Sequence, residues 1–127
     1  MAVYWDYNPR QFTERTKEQL KVLNTAISVQ IYTDAIAFSP VRTGRFRGNW
    51  HLSQGRERIR DRKGGTPERP SPPPREHIGF KARPYAKIWI TNYTPYADYI
   101  EFGSSKIEAH YVLTNAVQRA YNVYGAS

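Results

Sequence analysis

The stretch SPVRTGRFRGNWHLS, residues 39–53, decides the fold because it ends one element, makes a turn and begins another. Pro40 disfavours helical dihedral angles at Ser39, so a helix that precedes this stretch ends there. Thr43 and Gly44 supply a tight turn, since glycine adopts dihedral angles that strain other residues. Apolar and polar residues then alternate, which predicts a half-buried strand over residues 45–54. Three arginines stand at this corner between helix and sheet: Arg42, Arg45 and Arg47.

The flanking sequence predicts an α+β fold in which a long N-terminal helix and a C-terminal helix pack on one face of a small antiparallel sheet. Asn8 and Pro9 suit the start of a helix, and apolar residues then recur every three or four positions as far as Phe38. The length of 127 residues fits a single domain, residues 1–127. The predicted elements are a long helix over 8–38, a strand over 45–54, strands within 77–92, a short helix over 96–103 and a final helix over 110–121.

Residues 55–76, GRERIRDRKGGTPERPSPPPRE, form a basic segment that contains five prolines, three glycines and almost no apolar residue. Such a composition buries too little surface to offset the entropy of ordering, so we predict that the segment is mobile in the isolated chain. A helix would place like charges four residues apart, whereas an extended chain places its arginines on one face and Glu57, Ile59 and Asp61 on the other. We therefore predict a long, flexible hairpin finger with Gly64 and Gly65 at its tip.

The positive charge of the chain is concentrated in this region. The formal net charge is +8, and residues 42–75 hold ten basic and three acidic residues. The segment is either an ordinary solvated loop or a surface that docks on a polyanion or an acidic partner, without sequence-specific base recognition. The candidate residues for contact with a partner or with DNA are Arg42, Arg45, Arg47, Arg56, Arg58, Arg60, Arg62, Lys63, Arg69 and Arg75.

The sequence lacks the patterns of a catalytic or metal site. Without cysteine there is neither a disulfide framework nor a thiolate metal site. His51, His77 and His110 lack the spacing of metal ligands, and no glycine-rich phosphate loop precedes a helix. No apolar run reaches the roughly 20 residues of a membrane span, and residues 1–10 lack a secretory signal pattern. We therefore expect no cofactor and no metal, and a protein that is made and kept in a cytoplasm or assembled from one.

Aromatic residues exceed what a small core needs, with ten tyrosines, three tryptophans and five phenylalanines. Residues 1–7 are rich in them and are expected to pack as an arm or to contact a partner. Tyrosine is common at protein interfaces, so we predict that the chain forms a ring or docks into one. The candidate interface aromatics are Tyr4, Trp5, Tyr96, Tyr99 and Tyr124.

Three blocks of the chain, in order, resemble the minor-tail-component and tail-completion family of long-tailed bacteriophages. They are SPVRTGRFRGNW at 39–50, NYTPYADYIEFG at 92–103 and AHYVLTNA at 109–116. The family pattern has a long helix before the first block and a variable insertion after it. This chain departs from the pattern at Arg42, where Asp is commoner, at Tyr111, where Pro is commoner, and in its proline-rich segment.

The resemblance implies a structural virion protein and not an enzyme. Such a protein lies in the neck or head-proximal tail, after assembly in the host cytoplasm, where it completes the tail and joins it to the DNA-filled head. It implies a homo-oligomer, expected as a hexameric ring, with neck connector or stopper proteins and tail tube or tail terminator proteins as partners. Non-specific contact with genomic DNA in the lumen is also expected, with the basic segment becoming ordered on assembly. The scaffold interpretation fails if the isolated chain already holds the segment folded over a pocket of converging polar side chains.

Two other interpretations stay open from the residues themselves. A basic DNA-binding module would act through residues 55–75, with an affinity that falls steeply with salt. A small toxin-type ribonuclease would use arginine, tyrosine and a histidine such as His51 or His110 for acid–base work, although only composition favours it.

Overall fold

A computed structural model describes residues 1–5, 17–83 and 86–124 of the chain. The fold is α+β, as predicted, with helices packed on a three-stranded antiparallel sheet. The elements in chain order are β1 (Ala2–Trp5), α1 (Lys17–Phe38), α2 (Arg45–Gly48), β2 (His51–Gln54), β3 (Ile88–Thr91), α3 (Ala97–Phe102) and α4 (Val112–Tyr124).

The sheet has the order β1-β3-β2, so β3 is its central strand. Ile90 of β3 stands opposite Val3 of β1 and Leu52 of β2, and the whole sheet is antiparallel. Ile88, Ile90 and Leu52 are buried, which is the burial expected of the β-branched and aliphatic residues of a sheet face that packs on helices.

Helix α1 packs against α4 and against β2 and β3. Its apolar residues Ile31, Tyr32 and Ala35 are buried at spacings that keep them on one stripe. The predicted long helix is confirmed from Lys17 to Phe38, while its predicted start at Asn8 lies outside the described residues. Among the helices that the structure describes, none combines the length and the apolar character needed to cross a bilayer.

The predicted strand over 45–54 is wrong in its first half. Gly44 has φ 79°, and a single helical turn, α2, follows it, closed by a 2.7 Å hydrogen bond from the Gly48 N–H to the Gly44 carbonyl. Phe46 and Trp50 then meet edge to face, with ring centroids 5.6 Å apart. A spacing of four residues suits a helix as well as an alternating strand, which is why the pattern misled.

The strands predicted within 77–92 shrink to β3, and no described residue of 55–83 is in a strand. Ile78 is 66 % exposed, and Gly79 has φ 75° in a turn closed by the Phe80 N–H and the His77 carbonyl. The place of a second predicted strand in the sheet is taken by β1, which pairs with β3 from the other end of the sequence.

The two C-terminal helices are confirmed with small changes of boundary. Helix α3 ends at Phe102, and Gly103 follows it with φ 82° and donates its N–H to the Tyr99 carbonyl at 2.8 Å. Helix α4 runs to Tyr124, three residues beyond the predicted end.

Candidate functional site

The basic segment is folded onto the body of the protein. Between residues 56 and 62 the carbonyl of every second residue accepts a hydrogen bond from a side chain of the β2–β3 region. The donors to residues 56, 58, 60 and 62 are, in order, Ser53 Oγ, Thr91 Oγ1, His51 Nε2 and Asn49 Nδ2, at 2.8, 2.7, 2.9 and 2.8 Å. Carbonyls of alternate residues point the same way in an extended chain. The segment therefore runs extended beside the sheet and is held by side-chain to backbone bonds.

Asn49 makes the most complete of these contacts. Its Nδ2 donates to the Arg62 carbonyl and also to the Arg45 carbonyl, at 2.8 and 2.7 Å, while its Oδ1 accepts the Arg62 N–H at 2.6 Å. The residue is buried, so these bonds satisfy an amide that would otherwise be costly to exclude from water. Asn49 thus fastens the segment to the turn after α1.

Two acidic side chains in the first half of the segment are directed to groups of the body. Glu57 Oε2 accepts a hydrogen bond of 2.6 Å from the Tyr93 hydroxyl, and this bond raises the pKa of Tyr93. Asp61 Oδ1 accepts a bond of 3.2 Å from Arg45 Nε, and the bonded carboxylate raises the pKa of Arg45. This separation agrees with the predicted alternation of acidic and basic residues.

The second half of the segment packs against the turn that joins α1 to α2. The Thr43 carbonyl accepts the N–H groups of both Gly65 and Ser71 at 2.8 Å. Gly44 lies so close to the chain that an added Cβ would stand 2.5 Å from the Ser71 nitrogen. Arg47 Nη2 donates to the Ser71 carbonyl at 2.7 Å. The turn at Thr43 and Gly44, which was predicted from the sequence, is therefore a surface on which the segment packs.

Glu76, the last residue of the segment, bonds it to β2. Its carboxylate accepts bonds from the His51 ring at 2.8 Å, from the Leu52 N–H at 3.3 Å and from Arg58 at 3.2 Å. Burial alone would raise the pKa of Glu76, but the bond and charge of His51, with Arg58 and the Leu52 N–H, outweigh it and hold the pKa below its usual value. The carboxylate is therefore kept ionised beside β2.

These contacts correct the predicted finger. The segment neither extends a hairpin nor stands free of the body, because its backbone finds hydrogen-bond partners among polar side chains that composition alone does not reveal. A cleft of about 540 Å³ lies beside it, lined in part by Leu52, Gln54, Arg58 and Phe80. The segment is docked in this structure of one chain, and the hypothesis that it becomes ordered only on assembly stays a prediction, which tryptic cleavage of the isolated chain tests.

The ten candidate contact residues fall into two groups. Arg45, Arg47 and Arg58 make the contacts described above inside the chain, and Arg45 also lies 5.7 Å from the centre of the Tyr96 ring. Within the described ranges the other seven have no acidic partner. All seven are exposed: Arg42, Arg56, Arg60, Arg62, Lys63, Arg69 and Arg75.

The candidate interface aromatics are also divided. Tyr4 is exposed and stacks on Trp89, with ring centroids 4.5 Å apart. Tyr99 is exposed on α3, whereas Tyr96 and Tyr124 are partly buried against the core. The backbone of Trp5 lies in β1, and its side chain is outside the described part.

Three exposed apolar residues near Tyr99 were not predicted from the sequence. Phe102 is 66 % exposed on α3, and the loop beyond it carries others. The α3 surface is defined here as Tyr99, Phe102, Ile107 and Tyr111. A groove of about 550 Å³, lined by Val41, Ile100 and Ile107 among others, opens beside its Ile107. Phe102 follows Glu101 in the second sequence block, so its position in a short amphipathic helix was the available signal.

Buried polar residues join the three sequence blocks. Asn92 of the second block donates from Nδ2 to the carbonyl of Phe46 in the first at 2.8 Å. Glu101 of the second block accepts from the N–H groups of Leu113 and Thr114 in the third, at 2.9 and 2.8 Å. Glu101 thereby caps α4, where a negative charge is favourable.

The histidines and carboxylates do not form a metal site in the described part of the chain. No group of three or more His, Asp or Glu side chains there could hold a metal ion. The His51 ring is hydrogen-bonded to Glu76 and to the Arg60 carbonyl. The His77 ring packs against the Tyr32 ring, with ring centroids 5.6 Å apart. These side chains hold the fold together.

Comparison with known proteins adds no relative. No family model, curated protein or solved structure matches the chain.

Proposed function

We propose that the chain is a structural virion protein of a long-tailed phage, which acts in the neck or head-proximal tail as part of an oligomeric ring. It completes the tail and joins it to the filled head. Its partners are further copies of itself, neck connector or stopper proteins, and tail tube or tail terminator proteins.

The observation that carries the proposal is that two buried side chains of the second sequence block bond the first and the third block. Residues 39–50, 92–103 and 109–116 are separated in the chain, yet Asn92 and Glu101 bond them directly. A chance likeness in three separate stretches gives no reason for buried polar side chains of one stretch to bond the backbone of the other two. A shared fold does give such a reason, because buried polar groups need partners.

The α3 surface supports a role in assembly. Tyr99, Phe102 and Ile107 are exposed, and exposed apolar residues beside a groove are typical of sites where another protein docks. We assign this surface to the contact with a neighbouring copy in the ring.

The test is to delete the gene in the phage that encodes this chain and to image the particles by negative-stain electron microscopy. We expect finished heads and finished tails that stay unjoined. Purified wild-type protein added to the lysate is expected to restore joined, infectious particles. Normal joined virions without the protein would overturn the proposal.

The assigned surface is tested in the same lysate with two charge variants. Phe102→Asp is expected to fail to restore joining, because it places a carboxylate in the contact. Val22→Asp changes an equally exposed apolar residue on α1 and is expected to restore joining as the wild type does. Full restoration by Phe102→Asp would place the contact elsewhere on the protein.

A further inference from the structure

We propose that the outer face of the docked basic segment binds the phosphate backbone of duplex DNA without sequence preference. This inference rests on the contacts of the segment and is independent of the joining role. Its principal residues are Arg56, Arg60 and Arg62, supported by the more distant cations of residues 63–75.

The first step is the withdrawal of negative charge from this face. Glu57 bonds Tyr93, Asp61 bonds Arg45, and Glu76 bonds His51. These three carboxylates are thus bonded to groups of the body, whereas Arg56, Arg60 and Arg62 are exposed and make no ion pair with any residue that the structure describes. Glu68, farther along the segment, is also exposed. Over residues 56–62 the result is a strip of cations whose neighbouring carboxylates are bonded, which raises the positive potential outside.

The second step is the spacing of the cations. Arg60 and Arg62 are two residues apart in a run whose alternate carbonyls all bond the body. Extended backbone advances about 3.3 Å per residue, so such arginines recur every 6.6 Å or so on one face. A linear array of charges with this short repeat suits the linear array of phosphates along a DNA strand.

The third step is that the strip is held in place before binding. Asn49 and His51 fix its backbone through the bonds given above. Because the backbone of the strip is already ordered, binding of a partner does not include the entropy cost of ordering that backbone.

The chemistry favours duplex DNA over single strands and over an acidic protein. Residues 55–76 contain no aromatic side chain, and binding of single strands depends on stacking of bases upon aromatic rings. Apart from Ile59, the segment also offers no large aliphatic residue for the apolar centre of a protein interface. Phosphate contacts alone position a duplex without reading its sequence.

The experiment measures binding of the full chain to fluorescein-labelled 24-base-pair duplexes of two unrelated sequences, between 50 and 300 mM NaCl, by fluorescence anisotropy. We expect equal affinity for both sequences and a linear fall of log K with log salt. The triple variant Arg56→Gln, Arg60→Gln, Arg62→Gln is expected to lower the magnitude of that slope by about 2.7, since each phosphate contact contributes about 0.9.

A charge-matched control replaces Lys21, Lys81 and Lys106 by Gln, which removes the same charge away from the strip. The control is expected to keep the wild-type slope within one unit. Circular dichroism of both variants checks that the fold is intact. A second triple variant at Lys63, Arg69 and Arg75 gives an intermediate loss if the strip continues along the segment.

Three outcomes would overturn the proposal. The first is no binding of either duplex at 50 mM NaCl. The second is an equal fall of slope in the strip variant and the control, which would mean a response to net charge. The third is displacement of the labelled DNA by polyglutamate at a lower concentration of charge than unlabelled duplex requires, which would favour an acidic protein as partner.

Discussion

The Nδ1 atom of His51 lies 2.8 Å from Oε1 of Glu76, and its Nε2 atom lies 2.9 Å from the carbonyl of Arg60. A carbonyl only accepts, so Nε2 carries a proton and donates it. The ring is 1 % exposed, and it therefore bonds both the outgoing and the returning part of the basic segment to β2. This pair makes docking of the segment depend on the ionisation of Glu76.

Glu76→Gln is expected to lower the free energy of unfolding at pH 7 by about 1–3 kcal/mol, because a charged acceptor of three bonds is lost. The fold lowers the pKa of Glu76 below its ordinary value of 4.5. The ionised carboxylate thus contributes stability above pH 4.5, and this contribution is lost as the pH falls through the lowered pKa. In urea unfolding series, the difference in unfolding free energy between the wild type and Glu76→Gln should become smaller towards pH 3.

The exposed Glu68 provides the matched control. Glu68→Gln removes the same charge from the same segment without touching β2, so its unfolding free energy should stay within about 0.5 kcal/mol of the wild type. A gap for Glu76→Gln that is constant from pH 7 to pH 3 would contradict the role given to the carboxylate.

Asn49→Ala is expected to release the basic segment while leaving the sheet folded. Three hydrogen bonds to the segment and the turn are lost, at about 1.4 kcal/mol or more in total. The open form is then about tenfold more populated, and cleavage of an open segment follows its population. Trypsin should cut after the arginines of 56–75 about ten times faster, as followed by mass spectrometry of the fragments.

Asn115→Ala, on the exposed side of α4, is the control and should be cut in this segment at the wild-type rate. Equal, rapid cleavage of the wild type and Asn49→Ala would mean that the segment is open in solution, as the composition alone suggests.

The sequence predicted the elements that carry their own periodic signal. Helix α1 within 17–38, helix α3 and helix α4 each repeat apolar residues at helical spacing, and β3 is rich in aromatic and β-branched residues. Strand β1 has only four residues, too few for a period to be read, and its pairing with β3 bridges more than eighty positions of sequence.

The docking of the basic segment could not be predicted for a different reason. Its bonds join side chains such as Asn49 and Thr91 to backbone carbonyls of residues 62 and 58. Every residue has a carbonyl, so the residues whose carbonyls accept these hydrogen bonds cannot be recognised from the sequence. The donors are isolated polar residues, each of which also suits an ordinary turn or strand. The cationic residues were predicted from composition. Only the folded structure shows which of them make contacts inside the chain.

Gly44→Ala is expected to be far more harmful than Gly79→Ala. Both glycines have a positive φ, 79° and 75°, so each alanine costs about 1–2 kcal/mol of backbone strain. Only at Gly44 does the added Cβ also meet the backbone of Ser71, 2.5 Å from its nitrogen, whereas nothing lies within 4 Å at Gly79. Urea unfolding should show the larger loss at Gly44, together with faster tryptic cleavage of the segment.

Equal losses at the two glycines, with unchanged cleavage, would mean that the segment does not rest on the turn. Because both alanines carry the same backbone strain, the difference in unfolding free energy between the two variants measures the effect of the close approach between Gly44 and Ser71.

Glu101→Ala is expected to lower the free energy of unfolding by about 2 kcal/mol. The buried carboxylate accepts the N–H groups of Leu113 and Thr114 and the Thr114 hydroxyl, so its loss removes the cap of α4 and leaves the buried Leu113 N–H without its acceptor. Glu108→Ala, at an exposed position in the loop between α3 and α4, should change stability by less than about 0.5 kcal/mol. A similar small effect of both changes in thermal or urea unfolding would contradict the cap.

Tyr111 is one of the positions where this chain departs from the phage-family pattern that it resembles, and its backbone conformation gives this departure a physical meaning. Tyr111 has φ 48°, and its N–H donates to the Glu101 carbonyl at 3.1 Å. Proline is confined to φ near −65° and has no N–H, so Tyr111→Pro is expected to cost about 3 kcal/mol or more. Tyr111→Gly relieves the strain and is expected to gain about 1 kcal/mol relative to Tyr111→Ala, which removes the same exposed side chain but keeps the strain. Urea unfolding of the three variants measures these differences. Wild-type stability of Tyr111→Pro would mean that α4 begins as the family pattern has it, with a backbone that accepts proline.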